Sequence, residues 1–233
     1  MTEITSLIKF LQWVDTENEI NGFTQYPVFY RGQADLTWGF VPSVFRSDKG
    51  KYYNEFNLIS EARVKCWKWL QDCKTELEQL IKFQHYGLKT RLLDLTTNPL
   101  VVLYFACCDL QDNDGVVYCT YNNRSDILVA KLIAKIIFCH DKSECKIPEN
   151  KLLSYARDVG LIITNTEELY SELSKAHLII SPFNNDRIAN QNGAFVIAPL
   201  LDSENQIIIQ SRELDLSKEK YNLVSTKKSN NKR

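Results

Sequence analysis

The sequence predicts an α+β fold in which a mixed, mainly antiparallel sheet carries flanking helices. Some segments have apolar residues at helical spacing, and others are short, β-branched and aromatic like strands. The helical and strand segments do not alternate regularly, which favours a mixed sheet over a doubly wound parallel fold. The chain has 233 residues, of which 44% are hydrophobic, so it is large enough to form its own core.

The first half of the chain is predicted to place one strand between helical segments. A helix is expected over residues 5–13, and a short strand at 26–32 ends in glycine. Residues 38–46 are expected to be irregular or briefly helical. Residues 54–85 contain neither proline nor glycine, which predicts a long helical region with a possible break at 72–75.

In the second half, residues 92–96 are a candidate strand, and Pro99 opens a helix at a position where proline is tolerated. The period of residues 125–138 does not distinguish a helix from a strand. Further predicted elements are a helix at 167–175 and strands at 116–120, 179–180, 194–197 and 206–210. We expect one domain over residues 1–224 and a flexible basic tail over 225–233, which has no apolar residue.

Charge and cysteine content restrict the function classes. The net charge is −1, so no global field would attract the protein to nucleic acid or to an anionic membrane. The seven cysteines form no C-x-x-C pair and the chain shows no signal peptide, which predicts reduced thiols and a cytoplasmic protein. Cys139, His140 and Cys145 lack the tight ligand pairs typical of structural zinc, so no metal is expected.

The first candidate motif is Phe29-Tyr30-Arg31-Gly32-Gln33. An arginine directly after apolar strand residues places a planar cation at a strand end, and the following glycine allows close approach of a ligand. A guanidinium group suits phosphate or carboxylate because it donates two parallel hydrogen bonds. A surface salt bridge beside a turn glycine is the alternative interpretation.

The second motif runs from Gln84 to Thr96 and packs several polar groups into a predicted helix–turn–strand passage. Asp94 and Thr96 share one face of a strand, whereas Arg91 lies on the opposite face in ideal geometry. His85 could act as an acid, a base or a ligand contact. Alternatively, these groups form a structural network that holds the turn together.

The third motif runs from Arg187 to Ile197 and leads through Gly193 into a strand. Gln191 is its candidate functional residue. On its own the motif is equally consistent with a helix end, a tight turn and an edge strand.

Together the three motifs resemble the FRG domain family, which is named for its aromatic-Arg-Gly motif. The resemblance runs from about residue 25 to residue 200, with Lys89 and Leu95 departing from the usual proline and tryptophan. The residues that carry it are Tyr30-Arg31-Gly32-Gln33, Pro42, Arg46, Gln84-His85-Tyr86-Gly87, Thr90-Arg91-Leu92-Leu93-Asp94, Thr96, Asn98-Pro99-Leu100, Tyr104-Phe105-Ala106, Arg187-Ile188, Gln191, Gly193 and Phe195.

The order of the motifs is also similar to that of ADP-ribosyltransferases, which implies a related fold and NAD as substrate. By this resemblance the cofactor-binding residues would be Arg31, Gly32, Gln33, Arg46, Arg91 and Thr96, and the catalytic ones His85, Asp94, Gln191 and Glu61. Gln191 stands where that superfamily carries a catalytic glutamate, so the carboxylate would come from Asp94 or Glu61. No metal ion is implied.

The resemblance implies an NAD-utilising, ADP-ribosyltransferase-like or NAD-hydrolysing enzyme that acts as a bacterial effector, toxin or phage-defence component. Its acceptor would be a protein or a nucleic acid, with no membrane and with a partner protein possible. A non-catalytic nucleotide-binding module is the alternative, and a nuclease or other nucleic-acid-acting enzyme is the second. If there is one site, then Arg31, His85, Arg91, Asp94, Thr96 and Gln191 converge on one cleft.

Overall fold

The computed structural model describes residues 2–21, 27–46, 54–108, 113–120, 127–140, 143–180, 193–208 and 222–226. Its strands are β1 (Thr2–Ile4), β2 (Phe29–Gln33), β3 (Leu92–Thr96), β4 (Gly115–Thr120), β5 (His177–Ile180), β6 (Gly193–Ile197) and β7 (Asn222–Thr226). Its α-helices are α1 (Leu7–Asn21), α2 (Glu55–Cys66), α3 (Glu76–His85), α4 (Pro99–Cys107), α5 (Ile127–Cys139), α6 (Glu149–Asp158) and α7 (Thr166–Leu173).

The strands form one sheet in the order β1-β7-β4-β2-β3-β6-β5. Only the β1–β7 pair is parallel among these strands, and every other neighbouring pair is antiparallel. This mixed, mainly antiparallel sheet with helices beside it confirms the predicted α+β class. Within the described ranges, no helix has the length and apolar character needed to cross a membrane.

Two groups of helices cover one face of the sheet at different ends. Helices α2, α3 and α5–α7 pack on the β3–β6–β5 end, where Leu92, Phe195 and Ile197 join their core. Helices α1 and α4 pack on the β2–β4 end around Tyr30 and Val117. Tyr30 pairs with Thr96, so its side chain shares a face with those of Leu92 and Phe195. A space between the two helix groups is therefore open to the sheet.

Short polar residues determine where several helices begin. Thr75 accepts a hydrogen bond from the backbone N–H of Glu78 at the start of α3, and this cap explains the predicted interruption near residues 72–75. A 3-10 helix, Trp67–Leu70, separates α2 from that break. Asn98 caps α4, and Pro99 occupies its first turn as predicted.

The structure differs from the sequence prediction in several elements. Helix α5 (Ile127–Cys139) covers most of the range 125–138, where the period did not distinguish a helix from a strand, and α6 and β1 were not predicted. Of the predicted strand at 206–210, the described part forms only an isolated bridge between Ile207 and Leu201. The tail was placed too early: Ser225 and Thr226 pair with Val116 and Gly115 of β4. The remainder of the tail, 227–233, lies outside the described residues.

Candidate functional site

A pocket of about 310 Å³ lies between the two helix groups. Its floor comes from β2, β3 and β6, one wall from the end of α3 and the other from α4. Its polar residues are Arg31, Gln84, His85, Asp94 and Thr96, and its apolar or aromatic residues include Val101, Val102, Phe105 and Phe195. The first two sequence motifs and the start of β6 thus meet at one place.

The pocket opens where two neighbouring strands separate. Strand β2 pairs with β4 along all five of its residues, but its ladder with β3 consists of the single pair Tyr30–Thr96 within the described strands. Beyond that pair, the Arg31 Nη1 donates to the backbone oxygen of Asp94 at 2.9 Å. The guanidinium group thereby links the two strands where their ladder of backbone pairs ends.

The charge of Arg31 is only partly compensated. Its Nη1 lies 3.8 Å from Asp94 Oδ2, beyond good hydrogen-bond distance, and the Asp94 side chain is 60% exposed whereas that of Arg31 is 18% exposed. Burial lowers the pKa of Arg31, although the charges of Asp94 and Tyr118 act in the opposite direction. A desolvated cation with a distant, solvated partner favours binding of an anion.

A second arginine lies behind the first. The Gln33 Oε1 accepts from Arg31 Nε at 3.2 Å and from Arg46 Nη2 at 2.8 Å, while its Nε2 donates to the Gly39 oxygen at 2.7 Å. Burial lowers the pKa of Arg46 to about 10, and repulsion from Arg31 adds to this effect while Tyr118 opposes it. The amide of Gln33 therefore joins two cations without neutralising either of them.

Gln33 and Arg46 were predicted to contact the cofactor, and the structure corrects this. Neither residue lines the pocket. Gln33 is buried, and Arg46 Nε donates to the Val41 oxygen at 2.8 Å, so both are turned toward the protein. They act on the pocket through Arg31, by fixing its guanidinium orientation and by adding positive charge behind it.

The end of α3 supplies the polar wall. The Gln84 Nε2 donates to Asp94 Oδ2 at 3.2 Å, and its Oε1 accepts from the Thr90 hydroxyl at 2.6 Å. The Asp94 carboxylate thus accepts a hydrogen bond from the Gln84 amide, while the Arg31 guanidinium lies 3.8 Å away. His85, one residue further along, also lines the pocket. Both predicted proton-handling residues therefore face the same space.

The opposite wall depends on a glycine. A Cβ atom on Gly32 would lie 2.0 Å from the backbone oxygen of Val102, so only glycine lets α4 pack this closely on β2. The motif glycine was predicted to admit a ligand; although it lines the pocket, the close approach that it permits is that of a helix. Thr96 is also at the pocket, and its Oγ1 accepts from the Asn98 N–H at 3.1 Å.

Arg91 does not reach the pocket, and its predicted role in phosphate binding is corrected. It is fully buried, and its Nε donates to Glu55 Oε2 at 2.7 Å. Its other nitrogens donate to the backbone oxygens of Pro199 at 2.8 Å and Ile208 at 3.3 Å. With its donors directed at α2 and the 199–208 segment, Arg91 joins three parts of the fold.

The structure places one of the two remaining predicted residues, Glu61, and does not describe the other, Gln191. Glu61 lies on the exposed side of α2, where it pairs with Lys65 at 3.4 Å, and it does not line the pocket. Its predicted catalytic role is therefore corrected. Gln191 lies outside the described residues, as does Arg187, so the convergence of the third motif on the cleft stays a prediction. Gly193, the first described residue after Gln191, lines the pocket.

Sequence reasoning gave no role to three residues at the pocket and to one carboxylate outside it. Phe105 and Val101 on α4 form much of the apolar wall. Gln84 was recognised only as part of a motif, and Glu55 was not connected with Arg91. A buried arginine requires a carboxylate partner, but the sequence spacing does not show that the partner of Arg91 is Glu55, 36 positions earlier. Among the described residues, no group of three or more His, Cys, Asp or Glu side chains is arranged to hold a metal.

Comparison with known proteins finds a family match for part of the chain. Neither a curated protein nor a solved structure matches the chain. The similarity to the ADP-ribosyltransferase fold therefore stays a prediction. Residues 26–115 match the family model described as the FRG domain, and this segment contains the first two motifs and all the elements from β2 to α4. The chain thus contains a segment, residues 26–115, that is similar to the FRG domain.

Proposed function

We propose that the pocket binds NAD and that the protein is an ADP-ribosyltransferase-like or NAD-hydrolysing enzyme. The observation that carries this proposal is Arg31, a largely buried cation at the pocket floor whose charge Asp94 does not fully balance. Arg46 behind it adds positive charge. A diphosphate would complete this arrangement, because guanidinium groups donate bidentately to phosphate oxygens.

The shape and lining of the pocket support a nucleotide as the ligand. One side is polar, and the α4 side presents Val101, Val102 and the ring of Phe105. A flat heteroaromatic ring suits such a wall, and the volume of about 310 Å³ lies at the lower end of that of typical small-molecule sites. NAD combines two such rings with a diphosphate, so part of the molecule would fill the pocket.

The proposed reaction exchanges one bond at the nicotinamide ribose. The bond from C1′ to the nicotinamide nitrogen breaks, and nicotinamide leaves with the bonding electrons. The oxygen of water or of an acceptor hydroxyl forms the new bond to C1′, and its proton goes to the Asp94 carboxylate or to His85. Arg31 would hold the diphosphate, and Thr96 and Gln191 would hydrogen-bond the ribose. In cells, such an enzyme would act as an effector, a toxin or a phage-defence component.

A non-catalytic nucleotide-binding module is the second candidate, and one observation favours it. Asp94 is the only carboxylate that lines the pocket among the described residues, and the Gln84 amide donates to it at 3.2 Å. The third motif offers Gln191 in place of a carboxylate. Without a second acidic group, binding could persist while turnover is absent.

The test is incubation of the purified protein with NAD labelled in its adenylate part, with and without cell lysate. We expect release of nicotinamide, and loss of that release in Arg31→Ala and Asp94→Asn. The control is Lys175→Ala, which removes an exposed cation paired with Glu172. Thermal shift with NAD separates the candidates: stabilisation without turnover supports the binding module. Absence of both NAD binding and turnover would refute the proposed function.

A further inference from the structure

Two exposed aromatic rings, those of Tyr86 and Trp69, continue outward from His85 at the pocket. His85 lines the pocket, and its ring lies edge-on to that of Tyr86 with 5.4 Å between the centroids. The Tyr86 ring lies 5.4 Å from that of Trp69 in the 3-10 helix Trp67–Leu70. We call Trp69 and Tyr86, together with Trp67 of the same 3-10 helix, the aromatic ladder. It leads from the polar wall of the pocket along the protein surface.

These rings are unusually exposed for their size. The exposed fractions are 56% for Trp67, 59% for Trp69 and 63% for Tyr86. Val64, one turn earlier on α2, is 77% exposed. Large apolar side chains that touch one another at the surface mark a place where something else binds, and Trp69 and Tyr86 make such a contact.

The charges around the ladder favour an anionic partner. Residues 63–70 contain Arg63, Lys65 and Lys68 and no acidic residue, although the whole chain has a net charge of −1. The Lys68 ammonium lies 5.8 Å from the centre of the Trp67 ring. Lys65 pairs with Glu61, but at 74% and 70% side-chain exposure this ion pair holds little energy.

We propose that the aromatic ladder binds single-stranded nucleic acid. Unpaired bases stack on exposed aromatic rings, and the backbone phosphates accept the neighbouring lysine and arginine charges. A duplex hides the base faces inside its own stack, and an acidic peptide brings charge without flat rings. Single strands alone therefore satisfy both features of this surface.

The position of the ladder also suggests the acceptor of the transferred group. A strand that stacks on Trp69 and Tyr86 runs toward His85 and would bring a nucleotide hydroxyl or amine to the pocket mouth. This second step rests on the proposed function, whereas binding of the strand does not. Nucleic acid is thus preferred over protein as the acceptor class.

The test is fluorescence anisotropy with a labelled single-stranded RNA decamer in the absence of NAD. The wild type should bind the decamer more tightly than the matching duplex or decaglutamate. Trp69→Ala should weaken binding on the order of tenfold, and Trp69→Phe should retain most of it. Lys68→Ala should reduce the slope of log K against log salt by about 0.7, the value for one lost phosphate contact on a single strand.

The matched charge control is Lys9→Ala, which removes an exposed lysine on α1. It should leave the slope of log K against log salt unchanged. The unfolding midpoint of each variant shows whether it is folded, and Trp67→Ala replaces Trp69→Ala if the latter is not. Equal binding of duplex or decaglutamate, or unchanged affinity in the tryptophan variants, would overturn the proposal. Because NAD is absent from the assay, failure of NAD turnover would not alter this result.

Discussion

Replacing Arg91 with methionine tests whether this motif residue is structural. The side chains of Arg91 and Glu55 are both completely buried and lie 2.7 Å apart. Methionine would leave the Glu55 carboxylate without its cation, and would remove the donors to the Pro199 and Ile208 oxygens. Breaking a buried ion pair in this way lowers the free energy of unfolding by about 3–5 kcal/mol. For a chain of this size, the melting temperature should fall by roughly 6–20 °C.

Urea unfolding followed by circular dichroism measures this loss, with Lys65→Met as the control. Lys65 belongs to an exposed pair with Glu61, so its removal should change the free energy of unfolding by less than about 0.5 kcal/mol. If the wild-type protein binds NAD, the folded Arg91→Met variant should bind it as well. The structural assignment is refuted if Arg91→Met unfolds within about 1 kcal/mol of the wild type while NAD binding disappears.

The double variant Glu55→Leu with Arg91→Met separates two contributions to the free energy of unfolding, that of the buried charges and that of the hydrogen bonds. Removing both charges eliminates the uncompensated carboxylate, so stability should recover in part. Recovery should be incomplete because the Arg91 backbone N–H also donates to Glu55 Oε1 at 2.9 Å and loses that acceptor. Full recovery would mean that these backbone hydrogen bonds contribute nothing measurable.

Three further substitutions test the packing and the charge around the pocket. Gly32→Ala forces a Cβ to within 2.0 Å of the Val102 oxygen, so α4 must shift and stability should fall by about 1–3 kcal/mol in urea unfolding. Gln33→Glu places a carboxylate between two guanidinium groups, and titration with pyrophosphate should show about tenfold weaker binding because Arg31 is neutralised. Asn98→Ala removes the cap of α4 and should cost about 1 kcal/mol of thermal stability.

Local chemistry made much of the fold predictable from the sequence. Asn98 and Pro99 predicted the start of α4. The absence of proline and glycine from residues 54–85 predicted a long helical region with a possible break at 72–75, and this region contains α2 and α3. Such signals act within a few residues. Strand β7 was missed because its pairing with β4 joins positions more than 100 residues apart, which no local pattern reveals.

The site was predictable where strand geometry alone placed the residues. Asp94 and Thr96 were expected on one strand face, and both line the pocket with Arg31 and His85. Arg91 was expected on the other side of Asp94, yet it was assigned to the same cleft because arginine suits phosphate. Its function could not be predicted because it depends on Glu55, a carboxylate from a different helix.

Arg31 and Arg91 show how the position of a partner decides what a buried arginine does. Arg91 has a fully buried carboxylate at 2.7 Å, and its remaining donors reach backbone oxygens, so its charge is satisfied inside the protein. Arg31 has a neutral amide, a backbone oxygen and an exposed carboxylate at 3.8 Å. Part of its binding capacity therefore remains directed at the pocket, which makes Arg31 the arginine whose loss should abolish ligand binding without unfolding the protein.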